Sequence, residues 1–236
     1  MNYIKQLKRL GNAIIDLVFP ISCLVCGTEN TFLCDSCTAK LPRLEKQRCL
    51  VCQVAAPFGK THPDCVTKNS VDGAVSALFY KDRNVQNIIQ TFKYNFVSDL
   101  NTPLSALIIE AMEAQGLSDY FQEFIAVPVP LHPRRFNWRG FNQSELLAQS
   151  LAEKLNIHLD RQMIARNKYT QPQTRLTQHE RRQNIAKAFT LTGNPINKKI
   201  LLVDDLVTSG STANEIAKLL KRENAAEIWI ISAAHG

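Results

Sequence analysis

The segment Lys199-Ile200-Leu201-Leu202-Val203-Asp204-Asp205-Leu206-Val207-Thr208-Ser209-Gly210-Ser211-Thr212 constrains this chain more than any other. Its four consecutive apolar residues, Ile200 to Val203, read as a strand buried on both faces, as in a parallel sheet. Two carboxylates stand where that strand should end. A loop of small hydroxyl residues and one glycine follows. Then Ala213-Asn214-Glu215-Ile216-Ala217-Lys218-Leu219-Leu220 places apolar residues at helical spacing. In open parallel sheets, ligands gather beyond the carboxyl ends of the strands. A helix start offers free N–H groups and partial positive charge to an anion. Thr208, Ser209, Ser211 and Thr212 add hydroxyls, and Gly210 lets the backbone approach a ligand. Successive strand residues face opposite ways, so Asp204 and Asp205 are expected to differ in role: one reaching ligand hydroxyls or a Mg²⁺ shell, the other bracing the loop.

This order of residue types resembles the ribose-5-phosphate-binding motif of type I phosphoribosyltransferases, which hold phosphoribosyl pyrophosphate (PRPP). A plain buried strand with a capped helix is the competing reading. A receiver domain also carries apolar-Asp-Asp, but in its first strand, and here the pair lies far along the chain. A P-loop is excluded because no Gly-x-x-x-x-Gly-Lys occurs.

The cysteines arrive in pairs: Cys23-x-x-Cys26, Cys34-x-x-Cys37 and Cys49-x-x-Cys52, followed by His62-x-x-Cys65. Two intervening residues let both donors of a turn point at one metal, and two turns complete the tetrahedral set that Zn²⁺ prefers. Sequential pairing gives a Cys₄ and a Cys₃His site, and spacing equally allows a crossed pairing or a single site. So short and loop-rich a segment would draw its folding energy from the metal. With every ligand position filled, the zinc is expected to be structural. The sequence thus divides into an amphipathic helix over 1–20, a zinc-binding module over 21–68 and an α/β domain over 70–236.

The chain has 236 residues, 45% of them apolar, enough for one ordinary core and a small module. No apolar run approaches the roughly 20 residues of a membrane span. Residues 1–20 lack the continuous apolar stretch and cleavage site of a secretory signal, so a cytoplasmic location is expected. Net charge is +7, and its placement is informative. His132 to Lys187 holds 11 Lys/Arg against 4 Asp/Glu, which leaves 17 of each sign elsewhere. The whole excess is local, a footprint for a polyanion such as nucleic acid or pyrophosphate, or else a solvated basic face.

Strands are expected near 70–80, 124–129 and 227–233, with helices over 84–96 and 104–112. Lys93 and Tyr94 read as surface residues of the first helix. After Pro130 comes His132-Pro133-Arg134-Arg135-Phe136-Asn137-Trp138-Arg139-Gly140-Phe141-Asn142-Gln143, arginines mixed with aromatics. Phe136, Trp138 and Phe141 are candidates for stacking on bases, with core packing the alternative for each. Asn167 to Gln178 is polar and holds Pro172, the composition of a lid or a disordered loop.

Val-Pro-Val-Pro-Leu (127–131) with Arg-Gly-Phe-Asn-Gln (139–143) resembles the ComF (GntX-like) family of competence-associated, phosphoribosyltransferase-like proteins. Arg166, Thr170, Gln173-Thr174-Arg175-Leu176, Glu180-Arg181-Arg182-Gln183-Asn184, Ala188-Phe189 and the cysteine pairs agree. His62 departs from the family, which usually has cysteine there. The resemblance implies a type I phosphoribosyltransferase-like parallel sheet flanked by helices, behind a double-zinc-ribbon-like module. It implies Asp204 and Asp205 as the catalytic pair, facing ribose hydroxyls. Val207, Thr208, Ser209, Gly210, Ser211 and Thr212 would hold the 5-phosphate, and Arg139 and Gly140 would lie by the pyrophosphate. Arg134, Arg135, Arg166, Arg175, Arg181 and Arg182 would serve a flap or DNA surface. The implied partners are PRPP with Mg²⁺, single-stranded DNA and other competence or DNA-uptake proteins. The implied function is handling of single-stranded DNA in transformation or DNA utilisation, against true phosphoribosyl transfer to an unread acceptor or PRPP sensing without turnover.

Overall fold

The computed structural model describes residues 21–94, 97–169 and 185–236. The helix expected over 1–20 lies outside them, as do Arg175, Arg181 and Arg182 of the expected flap. The chain forms two compact units that divide between Leu41 and Pro42. The second cysteine group therefore belongs to the larger unit, although the sequence grouped it with the first.

In the smaller unit, Cys23 to Gly27 makes a tight turn. The Gly27 N–H donates to the Cys23 carbonyl (2.9 Å) and the Cys23 N–H to that of Thr28 (2.8 Å). Gly27 adopts φ +77°, where a side chain is disfavoured. Helix α1 (Asp35–Lys40) carries Cys37 back toward Cys34.

The larger unit repeats that turn with different residues. Gln53 N–H donates to Cys49 (2.8 Å) and Cys49 N–H to Val54 (3.0 Å). Here Gln53, not glycine, takes the left-handed position, at φ +64°. Beyond it, β1 (Gly73–Phe79), β2 (Phe124–Pro128), β5 (Lys199–Val207) and β6 (Glu227–His235) form a parallel sheet in the order β1-β6-β5-β2. A second, two-stranded antiparallel sheet pairs β3 (Ile164–Arg166) with β4 (Phe189–Leu191). The edge of β1 is covered by the segment after Leu41, where the Gln47 side chain both accepts from Ser76 N–H (2.9 Å) and donates to its carbonyl (3.0 Å). Capping an exposed strand edge this way removes a site for unwanted pairing.

Helices cover both sheet faces, which is why β5 and β6 read as continuous apolar runs. On one face lie α3 (Asn101–Ala114) and α5 (Gln143–Leu155), with α2 (Arg83–Tyr94) preceding them in the chain. On the other, α6 (Ser211–Arg222) packs Ile216, Ala217 and Leu220 with Ile200, Leu202, Ile228 and Ile230. A short α4 (Pro133–Arg139) lies between β2 and α5. Because β2 and β5 are neighbours, the loops that leave their carboxyl ends emerge side by side. Val129 N–H still donates to the Val203 carbonyl (2.9 Å), so the two chains part only at Asp204. Among the described residues, no helix is long and apolar enough to cross a membrane.

Candidate functional site

The sequence places a carboxylate pair at the end of a central strand, and the fold puts different partners round each member. Asp204 faces α5: Ser144 Oγ donates to its Oδ1 at 2.8 Å, and that same oxygen accepts the Asp205 N–H at 2.9 Å. Asp205 is buried and pairs with Lys93 at the end of α2, Nζ to Oδ1 3.2 Å. Its Oδ2 is buried with no partner among the described residues. The two carboxylates thus have different surroundings.

Thr208 to Ser211 turn from β5 into α6, with Gly210 as the helix cap at φ +71°. Ser209 and Ser211 hydroxyls lie 2.8 Å apart. A small pocket is lined by Asp204, Val207, Thr208, Gly210, Ser211 and Thr212. The expected anion loop is thus assembled around one opening, at a helix start.

The neighbouring loop contributes Arg139, the last residue of α4. Gly140 follows at φ +76° and its N–H donates to Phe136 (2.7 Å), the usual glycine stop of a helix. Asn142 then caps α5, its Oδ1 accepting from Ser144 N–H while its Nδ2 donates to the Val129 carbonyl. These contacts turn the Arg139 side chain inward, where it is 6% exposed. Its Nη1 donates to Gln143 Oε1 (3.1 Å) and its guanidinium lies over the Tyr94 ring (4.5 Å). Its Nε has no partner among the described residues. Gln143 in turn donates to the Lys93 carbonyl (3.1 Å). One chain of contacts therefore runs from Asp205 through Lys93, Gln143, Arg139 and Tyr94 to Trp138, whose ring is 5.7 Å from that of Tyr94.

Trp138 is 61% exposed and Phe136 is also exposed, so neither is core. Phe141 is partly buried with its ring 6.3 Å from Phe92. Arg134 and Arg135 flank the exposed Tyr169 ring, at 5.6 and 5.8 Å. Arg166 is buried on β3, and burial pulls its guanidinium down to about 10, with Arg135 adding to the fall and Asp204 opposing it. Arg135 and Asp204 are thus the charges that Arg166 feels most.

The surface reading holds for Tyr94, which is exposed while its ring lies under the Arg139 guanidinium, and is corrected for Lys93, a half-buried counter-ion of Asp205. Ser144, Gln143 and Tyr169 are also site neighbours that the sequence did not single out. Nothing local marks Lys93, which ends an ordinary amphipathic helix.

Burial, and then the adjacent Asp205 carboxylate, push Asp204 up to about 7 despite the help of Lys93 and Ser144. A carboxyl that holds its proton more tightly when folded contributes its stability below its unfolded value, about pH 4, and loses it as the pH rises toward 7. Asp204→Asn should therefore gain stability over the parent at pH 8, on the order of 2 kcal/mol, with a much smaller gain at pH 5. Urea unfolding of both proteins at the two pH values checks this. An equal gain at both would contradict the shift.

The metal-ligating residues assemble as two sequential sets: Cys23, Cys26, Cys34 and Cys37, then Cys49, Cys52, His62 and Cys65. Within each, the donor atoms lie within 4.8 Å of one another. Cys26 and Cys34 sulfurs are 3.7 Å apart, close to the roughly 3.8 Å edge that four Zn–S bonds of about 2.3 Å require. His62 Nδ1 is 3.3 Å from Cys52 Sγ, and its Nε2 lies 2.9 Å from the Ala55 carbonyl. That carbonyl holds the ring proton on Nε2 and leaves Nδ1 as the ligand. All seven cysteines are free of disulfides. Both sets suit structural zinc.

The double zinc ribbon domain model matches residues 14–66, and the phosphoribosyl transferase domain model matches 142–235. DNA utilization protein YhgH of Escherichia coli O157:H7 is 36% identical over 147 residues, 61% of this chain and 65% of that protein. Competence protein F of Haemophilus influenzae is 35% identical over 61% of this chain and 64% of its own length. The chain is similar to these competence and DNA utilization proteins and matches the phosphoribosyl transferase domain model over 142–235. Competence protein ComFC of Streptococcus pneumoniae, at 25% identity, aligns over 89% of this chain and 91% of its own length. The chain spans just under two thirds of the Escherichia coli relative's length. The ComF resemblance, the α/β fold with its phosphoribosyltransferase-like parallel sheet and the zinc ribbon are all borne out.

Proposed function

We propose that this chain binds Mg²⁺-PRPP at the end of β5 and handles single-stranded DNA on the adjoining aromatic and arginine surface, in the cytoplasm. The observation that carries the reading is the contact chain from Asp205 to the exposed Trp138. It puts a ribose-phosphate pocket and a stacking surface on one rigid set of side chains. Asp204 and Asp205 face the ribose hydroxyls, and Val207 to Thr212 hold the 5-phosphate by backbone N–H groups and hydroxyls. The unpartnered atoms Asp205 Oδ2 and Arg139 Nε fit a cation and a pyrophosphate respectively. Mg²⁺ bound with PRPP supplies charge neutralisation of the pyrophosphate. Lys93 holds Asp205 until ligand arrives, and Gly140 leaves backbone room beside Arg139.

For DNA, Phe136, Trp138 and Tyr169 are the exposed rings and Arg134 and Arg135 the local cations, burial having withdrawn Arg166 from that surface, with Arg175, Arg181 and Arg182 extending the charge along the sequence. Alternating rings and cations suit a single strand, whose bases stack and whose phosphates pair. The names of the relatives, competence and DNA utilisation, agree with this partner and with others of the uptake machinery. The second reading, transfer of ribose-5-phosphate to an acceptor, is favoured by Arg139, a buried cation beside the pocket able to stabilise a departing pyrophosphate.

Trp138→Ala should weaken single-stranded DNA binding by about 1–3 kcal/mol, five-fold or more, and leave Mg²⁺-PRPP affinity within two-fold. Titration with a fluorescent oligonucleotide at two salt concentrations, with and without Mg²⁺-PRPP, reads both effects. Binding by the parent should fall steeply with salt. PRPP binding without DNA binding would favour the transferase reading.

A further inference from the structure

The second metal set does not stand apart from the phosphate loop. Leu50, between ligands Cys49 and Cys52, is 1% exposed and belongs to the core cluster that holds Val207, Ala213 and Ile230. It lies directly under Gly210: a Cβ placed on that glycine would meet Leu50 Cβ at 2.7 Å and Cδ1 at 3.1 Å. The other pair of ligands reaches the same place by a second route. Thr61, next to His62, donates through Oγ1 to the Val71 carbonyl (2.7 Å), and Val71 N–H donates to Asn214 Oδ1 (3.1 Å) in the first turn of α6. Each half of the Cys49/Cys52/His62/Cys65 set therefore has its own contact with the loop-helix junction.

We propose that metal at Cys49, Cys52, His62 and Cys65 fixes the shape of the 208–212 loop and thereby its affinity for a ribose phosphate, with Leu50 as the positioning residue. Four ligands hold the turn from Cys49 to Gln53 closed, and the closed turn presses Leu50 against Gly210. Gly210 sits at φ +71°, which glycine adopts freely, so the Leu50 contact selects among conformations open to the loop. Without metal, the turn relaxes, Leu50 withdraws and the loop N–H groups lose their common focus. The zinc ribbon would then be a structural part of the ligand pocket. The proposal rests on reading 208–212 as the ribose-phosphate loop.

The test measures Mg²⁺-PRPP affinity by calorimetry, with zinc content, for the full chain and for Leu50→Ala, Cys65→Ser and the double variant. Leu50→Ala should weaken binding on the order of tenfold while keeping its zinc, and Cys65→Ser should weaken it similarly with zinc lost from one set. The double variant should be no worse than the weaker single, because both act through one contact. Val54→Ala, at an exposed position of the same turn, should bind like the parent. Leu50→Ala with parental affinity overturns the proposal. If the parent itself fails to bind, the functional reading has failed, and hydrogen exchange decides the coupling. That measurement also serves if Leu50→Ala does not fold. Exchange at 208–212 should rise in Cys65→Ser relative to the parent, and unchanged exchange there overturns the coupling whatever the ligand.

Discussion

Alanine at both Asp204 and Asp205 should lower affinity for Mg²⁺-PRPP by about 10²–10⁴, because each carboxylate would make a charged hydrogen bond worth roughly 1.5–3 kcal/mol. The two losses have different origins. Removing Asp204 deletes the acceptor nearest the pocket and frees Ser144 Oγ. Removing Asp205 leaves Lys93 without its ion-pair partner at a site where both are largely buried. A buried charge stripped of its partner is strongly destabilising, so Asp205→Ala will also lower the melting temperature. Asp205→Asn separates the effects, since it keeps an oxygen for Lys93 while removing the charge. The expected result is a fold close to the parent's and a binding loss near that of alanine. Calorimetry with thermal melts on the three variants reads this directly. Parental affinity in a folded double variant would remove the pocket from the end of β5.

Metal removal should have the second large effect, and it should act unequally on the two sets. Structural zinc contributes about 10–16 kcal/mol in zinc-finger peptides at neutral pH. Among its described residues, the unit ending at Leu41 has little apolar core beyond Leu33 and Leu41, so stripping its metal should unfold them outright. The second set lies in the larger unit, where Leu50 and the sheet core remain. There a chelator should loosen the turn and leave the sheet folded. Limited proteolysis after chelation is expected to cut within 21–41 first and to spare the four strands of the parallel sheet. Simultaneous loss of both regions would show that the sheet depends on metal throughout. One thiol in each set is already biased toward ligation. The Thr28 hydroxyl and N–H hold Cys26 down to about 6. Burial opposes ionisation of Cys49, but N–H groups of Cys52 and His62 outweigh it and leave it near 7. The contact with Cys26, and then burial, push Cys37 up to about 12, while burial, and then the contact with Cys52, push Cys65 up to about 11.

Much of this architecture could be read from residue order. The run from Ile200 to Val203 had to be buried on both faces, but the strand does not end at the carboxylates as expected: β5 continues through them to Val207, paired with β6. The Cys-x-x-Cys spacing announced metal, and the fold chose the sequential pairing that spacing alone left open. What the sequence could not carry was which distant residues meet. Lys93 reaches Asp205 across more than a hundred positions, and no periodicity marks a lysine at a helix end as a counter-ion. Tyr94 is the surface residue it looked, but its role depends on Arg139, held by Gly140 and Gln143 from another helix. Leu50 looked like filler between two ligands, although its partner is Gly210. The module over 21–68 followed the cysteine spacing, as the double zinc ribbon match over 14–66 does, whereas the compact units follow contacts that tie Gln47 to β1.

The order of strands across the sheet carries a consequence for biosynthesis. β5 must slot beside β2, and β6 must insert between β5 and β1, whose residues precede it by about 150 positions. Such long closures are slow, and an unfinished parallel sheet exposes its edges. While the ribosome is still making β6, β1 has no neighbour in the four-stranded sheet, and the Gln47 clasp on Ser76 guards only one of its sides. The last long strand to be translated is therefore the one that joins the early and late halves of the domain.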